Sequence, residues 1–192
     1  MIQAPIVAGG IVVNRSGYSF VGASATTTNN LTFGGATPTF TATASTSINV
    51  PVAGSSAITF NISPTATLSL QGFASITNTG GEILMGGGTF AIGNATGGTL
   101  SNGAGTLSGA TLTVGNTRTL SNNFFVTANT TNAVISASGG NATVSGSFAG
   151  TGTVALGAVN AGSIETITGN NTTFAGTFTF PTGGIIRLTS AT

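Results

Sequence analysis

The sequence predicts an all-β protein folded as a single-chain parallel β-helix, or β-solenoid. Helix signals are almost absent, because Gly, Pro, Thr, Asn and Ser interrupt every candidate helical window. Short alternating stretches recur instead, separated by turn-forming residues. Internal repeats favour a solenoid. A β-sandwich of Greek-key or jelly-roll type is the alternative, since strands spaced by about 8–12 residues also suit it.

Six short stretches have the alternation that is typical of half-buried strands, with apolar or small residues following hydroxyl-bearing ones. They are Leu31–Phe33, Thr39–Ala44, Ala57–Ile62, Ala66–Leu70, Ala110–Val114 and Thr177–Phe180. The segments between them contain GG, NG, GN and NN pairs, which indicate turns because Gly and Asn tolerate positive φ. Most of the 12 Phe residues alternate with Thr, and we expect them in the core.

Three sets of internal matches suggest coils of about 20–30 residues, so that about seven coils fit the chain. NATVSGSF at 141–148 recurs as NTTFAGTF at 171–178, 30 residues later. LTFGGATPTFTATA at 31–44 resembles ITFNISPTATLSL at 58–70. A unit of two small residues, Thr and an apolar residue recurs as GGTF, GGTL, AGTL and GATL, starting at Gly87, Gly97, Ala104 and Gly109.

The domain prediction is one continuous solenoid over residues 31–192, preceded by a distinct N-terminal segment, residues 1–30. That segment contains the apolar stretch IVAGGIVV at 6–13. It is either a first coil or cap, or a strand donated to a neighbouring subunit, since donated strands are apolar and terminal. We expect no signal peptide there, and no transmembrane helix, because no run of about 18 apolar residues occurs.

Charge is scarce, and this excludes several classes of partner. Charged residues make up 3% of the chain, against about 25% in an average domain. They are Arg15, Arg118, Arg187, Glu82 and Glu165. A formal net charge of +1 gives no electrostatic basis for binding nucleic acid or an anionic membrane. It also provides little repulsion between copies, which favours association.

The residues that enzymes and metal sites use are mostly missing. Glu82 and Glu165 are far apart in sequence, and we expect them to be solvated or paired with Arg. Ser has no His or Lys to activate it, and His, Cys and Asp are all absent. GGG at 86–88 predicts a tight turn rather than a phosphate loop. We therefore expect no catalytic, cofactor-binding or metal-binding residues, and no cofactor.

Two stretches have regularly spaced Gly: SNGAGTLSGATLTVG from Ser101, where Gly alternates with other residues and precedes Leu, and ITGNNTTFAGTFTF from Ile167, where Gly is combined with Asn and Phe. Together they resemble the autotransporter-associated β-strand repeat of bacterial autotransporter passenger domains, over roughly residues 80–180. The similar positions are Gly103, Gly105, Leu107 and Gly109 for its first part, and Gly169, Asn171, Phe174, Gly176 and Thr177 for its second. Residues 140–148 match in part. The resemblance implies a secreted or surface-exposed parallel β-helix, and it implies no particular activity.

We therefore expect a non-enzymatic extracellular structural or adhesive module, located outside or on the surface of a bacterial cell. It would form a section of a surface stalk, or a fibre subunit that associates through strand edges or ends, with host or environmental surfaces as further partners. The alternative is a carbohydrate- or surface-binding module. A third hypothesis, a polysaccharide-acting enzyme, has only Glu82 and Glu165 to offer as an acid–base pair.

Overall fold

The chain winds into a parallel β-solenoid of about seven turns. The computed structural model describes residues 6–22, 30–72, 74–93, 100, 104–136, 141–158, 160–181 and 183–189. These residues form 23 strands and no helix, and all paired strands run parallel. Within them, no helix is long and apolar enough to cross a membrane. The sandwich alternative is wrong, because its strands would pair antiparallel.

The strands are short, with two to six residues each. The N-terminal half contains β1 (Ile6–Ala8), β2 (Gly10–Val13), β3 (Ser19–Val21), β4 (Leu31–Phe33), β5 (Thr39–Ala42), β6 (Thr46–Asn49), β7 (Val52–Gly54), β8 (Ile58–Ile62), β9 (Thr67–Leu70), β10 (Ile76–Asn78), β11 (Glu82–Met85) and β12 (Thr89–Ile92). The C-terminal half contains β13 (Gly105–Ser108), β14 (Thr111–Val114), β15 (Thr119–Leu120), β16 (Phe124–Val126), β17 (Thr131–Ser136), β18 (Ala142–Val144), β19 (Phe148–Gly150), β20 (Thr153–Ala158), β21 (Ile164–Ile167), β22 (Thr177–Thr179) and β23 (Ile185–Leu188).

Three faces are built as the chain circles the core. The first face is a seven-stranded sheet of β2, β5, β8, β11, β13, β16 and β19. The second face is an eight-stranded sheet of β3, β6, β9, β12, β14, β17, β20 and β22. The third position of each coil forms two four-stranded sheets, β1, β4, β7 and β10, then β15, β18, β21 and β23. The first coil is residues 6–22, and the last coil is residues 171–189.

Side-chain alternation explains why these residues form these strands. In β8, Ile58, Phe60 and Ile62 are buried, whereas Thr59 and Asn61 between them are partly exposed. The same in–out pattern in each coil produces stacked inward rows, such as Phe40, Phe60, Leu84 and Leu107 on the first face. All six predicted strand stretches coincide with strands to within two residues at each end. Alternation therefore identified six of the 23 strands individually.

Aromatic rings form two stacks inside the solenoid. Phe20, Phe40, Phe60 and Phe90 contact one another in sequence, with ring centroids 5.2–6.1 Å apart. Near the C-terminal end, Phe148 contacts Phe124, Phe174 and Phe178. The prediction of a Phe-rich core is confirmed for the six fully buried rings, Phe33, Phe40, Phe60, Phe90, Phe124 and Phe148. These rings supply large apolar area in a chain with few other bulky residues.

The turn at Gly86–Gly88 links β11 to β12 and needs glycine. Gly86 and Gly87 have φ of 96° and 82°, values that side-chain-bearing residues rarely adopt. The predicted tight turn at this GGG sequence is therefore confirmed.

The internal matches indicated repeats but gave the wrong coil register. Residues 141–148 and 171–178 are not equivalent, because Phe148 lies on the first face and Phe178 on the second. Thr153 pairs with Thr177, which is 24 rather than 30 residues later. Coil length varies from the 19 residues between Leu107 and Val126 to the 29 between Ile11 and Phe40. The matches of GGTF with GATL are real, since Phe90 pairs with Leu112.

The N-terminal segment pairs with the rest of the same chain. β1, β2 and β3 lie in register on β4, β5 and β6. The division into residues 1–30 and 31–192, with either a cap or a donated strand at the front, stays a prediction.

Candidate functional site: the two ends of the solenoid

Exposed apolar side chains are concentrated at the two ends of the solenoid. Eight large apolar or aromatic side chains are exposed among the described residues, and seven belong to the first or last coil. The seven are Ile6, Val7, Val12, Tyr18, Phe180, Ile185 and Leu188. The eighth is Phe125 on the first face. Ile6 and Leu188 continue buried rows of the core, whereas Val7, Val12 and Ile185 point outward from the sides of the first and last coils. Exposed apolar surface is typical of contact sites, so we take these two end coils as the candidate functional site.

The last coil leaves the apolar interior open. Phe178 and Leu188 continue the inward rows of Val154 and Ile167, and no described strand lies beyond them. Leu188 is therefore 66% exposed, although its row is buried in the coils below. A cavity of about 430 Å³ lies here, lined by Leu156, Ile167, Gly169, Asn170, Asn171, Thr172, Phe178, Phe180, Leu188 and Thr189. This end can accept apolar groups.

The first coil presents a second apolar surface. Ile6 lies in register with the buried Leu31, yet it is exposed because no described strand covers it. Val7, which pairs with the outward-facing Thr32, is 71% exposed on the side of the same coil. A smaller cavity of about 210 Å³ is lined by Val12, Val13, Asn14, Tyr18 and Phe20. The N-terminal end is therefore apolar as well.

Both ends also carry strand edges with one free side. Within the described part of the chain, β1, β2 and β3 each pair with one strand, as do β22 and β23. A strand edge of this kind presents N–H and C=O groups that can pair with another strand. Each end therefore combines backbone hydrogen-bonding groups with exposed apolar side chains.

Glu165 is buried beneath the last coil, which the sequence did not predict. Its exposure is 0%, and its Oε2 accepts a 2.7 Å hydrogen bond from the backbone N–H of Gly157. Its Oε1 is buried without a hydrogen-bond partner among the described residues. Burial raises the pKa of Glu165 from 4.5 to about 8, and the Gly157 hydrogen bond partly opposes this shift. The expectation of a solvated or Arg-paired carboxylate is wrong here.

Glu82 is also buried, with 1% exposure, so the expectation of a solvated side chain is wrong for it too. It lies in β11 on the first face, whereas Glu165 lies in β21 in the third position of a later coil. The coils of β13–β15 and β16–β18 separate them. The fold therefore does not bring the two carboxyls together as an acid–base pair.

The three arginines are exposed or partly exposed. Arg15 and Arg187 are exposed, and Arg118 is partly buried. Among the described residues, no group of three or more His, Cys, Asp or Glu is placed to hold a metal ion.

The outer side of the second face carries short, uncharged side chains. Thr67, Thr89 and Thr111 stack in register on consecutive coils. Ser47 and Ser69 stack in the neighbouring row, on the same side of the sheet. These rows could not be identified from the sequence, because the pairing of residues across coils depends on the coil register.

The described residues that carry the autotransporter-like spacing lie at coil corners, on the first face and, for Thr177, on the second face. The Asn171 Oδ1 accepts a 2.7 Å hydrogen bond from the Phe148 backbone N–H, one coil below. The Phe174 ring lies 6.1 Å from the Phe148 ring. Gly105 and Leu107 belong to β13, and Gly103 lies outside the described residues. These residues have structural roles in joining coils.

Comparisons with known proteins add no family. No family model matches the sequence, and no curated protein or solved structure matches it significantly. Arguments about function therefore rest on the geometry and chemistry of this chain.

Proposed function

We propose that the chain is a non-enzymatic structural module of a secreted or cell-surface stalk or fibre, whose ends stack on further β-strands. The observation that carries this proposal is the concentration of exposed apolar side chains at the two ends of the stack. The resemblance to autotransporter-associated repeats supports an extracellular, passenger-like setting. The sides of such a stalk carry little charge, and their Thr and Ser hydroxyls could contact host or environmental surfaces.

Both ends have the groups that parallel stacking needs. β22 and β23 run parallel to the strands on which they stack, so a further parallel strand could pair with their free edges in the same way. Stacking another strand there would pair the free backbone groups and cover Phe180 and Leu188. With a formal net charge of +1, copies repel one another little.

The separation of Glu82 from Glu165 supports a non-enzymatic role. Acid–base catalysis by two carboxyls requires both near one substrate bond, at separations of about 5–9.5 Å in glycosidases. Here they lie on different faces with two coils between them. A scaffold needs no such pair.

Sedimentation of the purified chain over a range of concentrations tests the proposal. We expect concentration-dependent assembly, and weaker assembly for Phe180→Ser. Phe125→Ser is the matched control, because Phe125 is 54% exposed and Phe180 is 55% exposed, but Phe125 lies on a side face. Assembly that F125S weakens as much as F180S would contradict an end-to-end contact.

The second candidate is a carbohydrate- or surface-binding module. The uncharged hydroxyl rows of Thr67, Thr89 and Thr111 favour it, because regularly spaced hydroxyls can hydrogen-bond to an ordered polar surface. A chain that remains monomeric and co-sediments with insoluble polysaccharide would replace the scaffold proposal with this one.

A further inference from the structure

One ionisable group lies inside the solenoid directly below its last coil. The inward-facing Glu165 on β21 has Ile186 of β23 as its register partner. β23 is held on β21 by the strand pairing and by flanking hydrogen bonds, from Ile185 N–H to Ser163 C=O at 2.9 Å and from Thr189 N–H to Ile167 C=O at 3.0 Å. No described strand covers β23 from the other side.

The surroundings of Glu165 suit a neutral carboxyl and not a carboxylate. A carboxylate offers about four acceptor sites, and here one backbone N–H serves Oε2 while Oε1 has no partner among the described residues. Ala142 and Ile186, its register neighbours on either side, are apolar. An ionised group in such a place is costly unless it is paired or reaches water.

We propose that Glu165 is a proton-controlled latch, which holds the last coil closed while its carboxyl is neutral and loosens that coil when it ionises. Contact with water lowers the free-energy cost of ionising the carboxyl, and β23 is the strand that covers β21 with no described strand beyond it. The last coil is the element that can open most easily, because in a solenoid each coil is stabilised only by its neighbours. Control of association by this latch rests on the proposed function, whereas the loosening itself does not.

No other charge compensates the ionised form. β17, β18 and β20 carry no charged residue. On β23, Arg187 is exposed and pairs with the outward Thr166, so it lies on the opposite side of the sheet from Glu165. Arg118 precedes β15, which lies three coils below β23 and two below β21 in the same sheet. Glu82 and Arg15 belong to much earlier coils.

The direction of the pH effect follows from linkage. The closed coil gives Glu165 a pKa of about 8, whereas an opened coil returns it to near its ordinary value of 4.5. The closed coil is therefore most stable, relative to the opened coil, at pH values below 4.5. Its stability falls as the pH rises from 4.5 towards about 8. The opening equilibrium should increase about tenfold per pH unit across that interval and level off above it.

Methyl and carboxyl NMR of the full chain tests the latch. We expect the Glu165 side-chain carboxyl to titrate near the pH at which the Ile186 and Leu188 methyl signals shift or broaden. Glu165→Gln keeps an acceptor for the Gly157 N–H but cannot ionise, so its Ile186 and Leu188 signals should not respond to pH. Glu82→Gln is the matched control and should retain the wild-type response of the last coil.

Two results would overturn the proposal. One is a Glu165 carboxyl that titrates at its ordinary value in the folded wild-type chain, a measurement that needs no variant. The other is an unchanged pH response of Ile186 and Leu188 in E165Q. Both NMR measurements report on a single chain, so they test the latch independently of the sedimentation test of end-to-end assembly.

Discussion

Gly146 lies at the corner between β18 and β19, where one coil passes directly over another. A Cβ at this position would overlap the backbone carbonyl of Asn122, in the coil below. The neighbouring group is backbone, so it cannot move aside as a flexible side chain would. The close approach of two coils at this corner therefore depends on the absence of a side chain.

We predict that Gly146→Ala lowers the free energy of unfolding by about 2–4 kcal/mol, because the corner must shift to admit the methyl group. Gly162→Ala is the control, since a Cβ there has no neighbour within 4 Å. It should change stability by less than about 0.5 kcal/mol. Urea unfolding of both variants checks this, and equal midpoints for the two would contradict the predicted clash.

At the residue scale, the direction of a side chain, into the core or towards solvent, could be predicted for some residues and not for others. Most Phe residues could be placed in the core, because they alternate with Thr over several positions. The stretch SIETI at 163–167 has no such regular phase, since Ile164 and Ile167 lie on opposite sides of the strand. Glu165 was therefore expected at the surface, and its burial could not be predicted.

At the element scale, Asn132 of β17 connects three successive coils. Its Oδ1 accepts hydrogen bonds from the backbone N–H groups of Gly109, at 2.7 Å, and Ala110, at 3.1 Å, in the coil below. Its Nδ2 donates to the Thr153 carbonyl in the coil above, at 3.3 Å. Stacking is thus stabilised by side-chain hydrogen bonds at turns as well as by strand pairing.

We predict that Asn132→Ala destabilises the fold by about 2–4 kcal/mol, because it leaves the Gly109 and Ala110 N–H groups without their acceptor. Thr131→Ala is the control, since Thr131 is the adjacent residue of the same strand and is exposed. Thermal unfolding distinguishes them. A melting temperature that falls equally in both variants would show that the Asn132 hydrogen bonds contribute little.

Strands with clear alternation could be predicted from the sequence, whereas their stacking register could not. Alternation is local, so stretches such as Ala57–Ile62 are recognisable from a few residues. Register depends on how many residues each corner contains, and that number varies from coil to coil. In a chain so rich in Gly, Thr and Asn, similar octapeptides occur on different faces, as Phe148 and Phe178 demonstrate.

At the scale of the whole molecule, nearly all large apolar groups are either inside the stack or at its ends. The sides carry mainly Thr, Ser, Asn and small residues, and among the described residues the exposed large apolar side chains that point outward from the strands are Val7, Val12, Phe125 and Ile185. The ends resemble the interior of the solenoid exposed at a cut surface. The sequence predicted association through strand edges or ends, but the residues exposed there could not be predicted, because they depend on which strands lack a neighbour in the fold.

Fibre diffraction from concentrated, aligned protein tests the central claim most directly, because it reports the direction of strand stacking within an assembly. If the chain is a parallel solenoid that assembles end to end, a reflection at about 4.8 Å will lie along the fibre axis, since the stacking direction of the coils continues from copy to copy. A reflection of this spacing perpendicular to the axis, or the absence of any fibre at high concentration, would contradict the account.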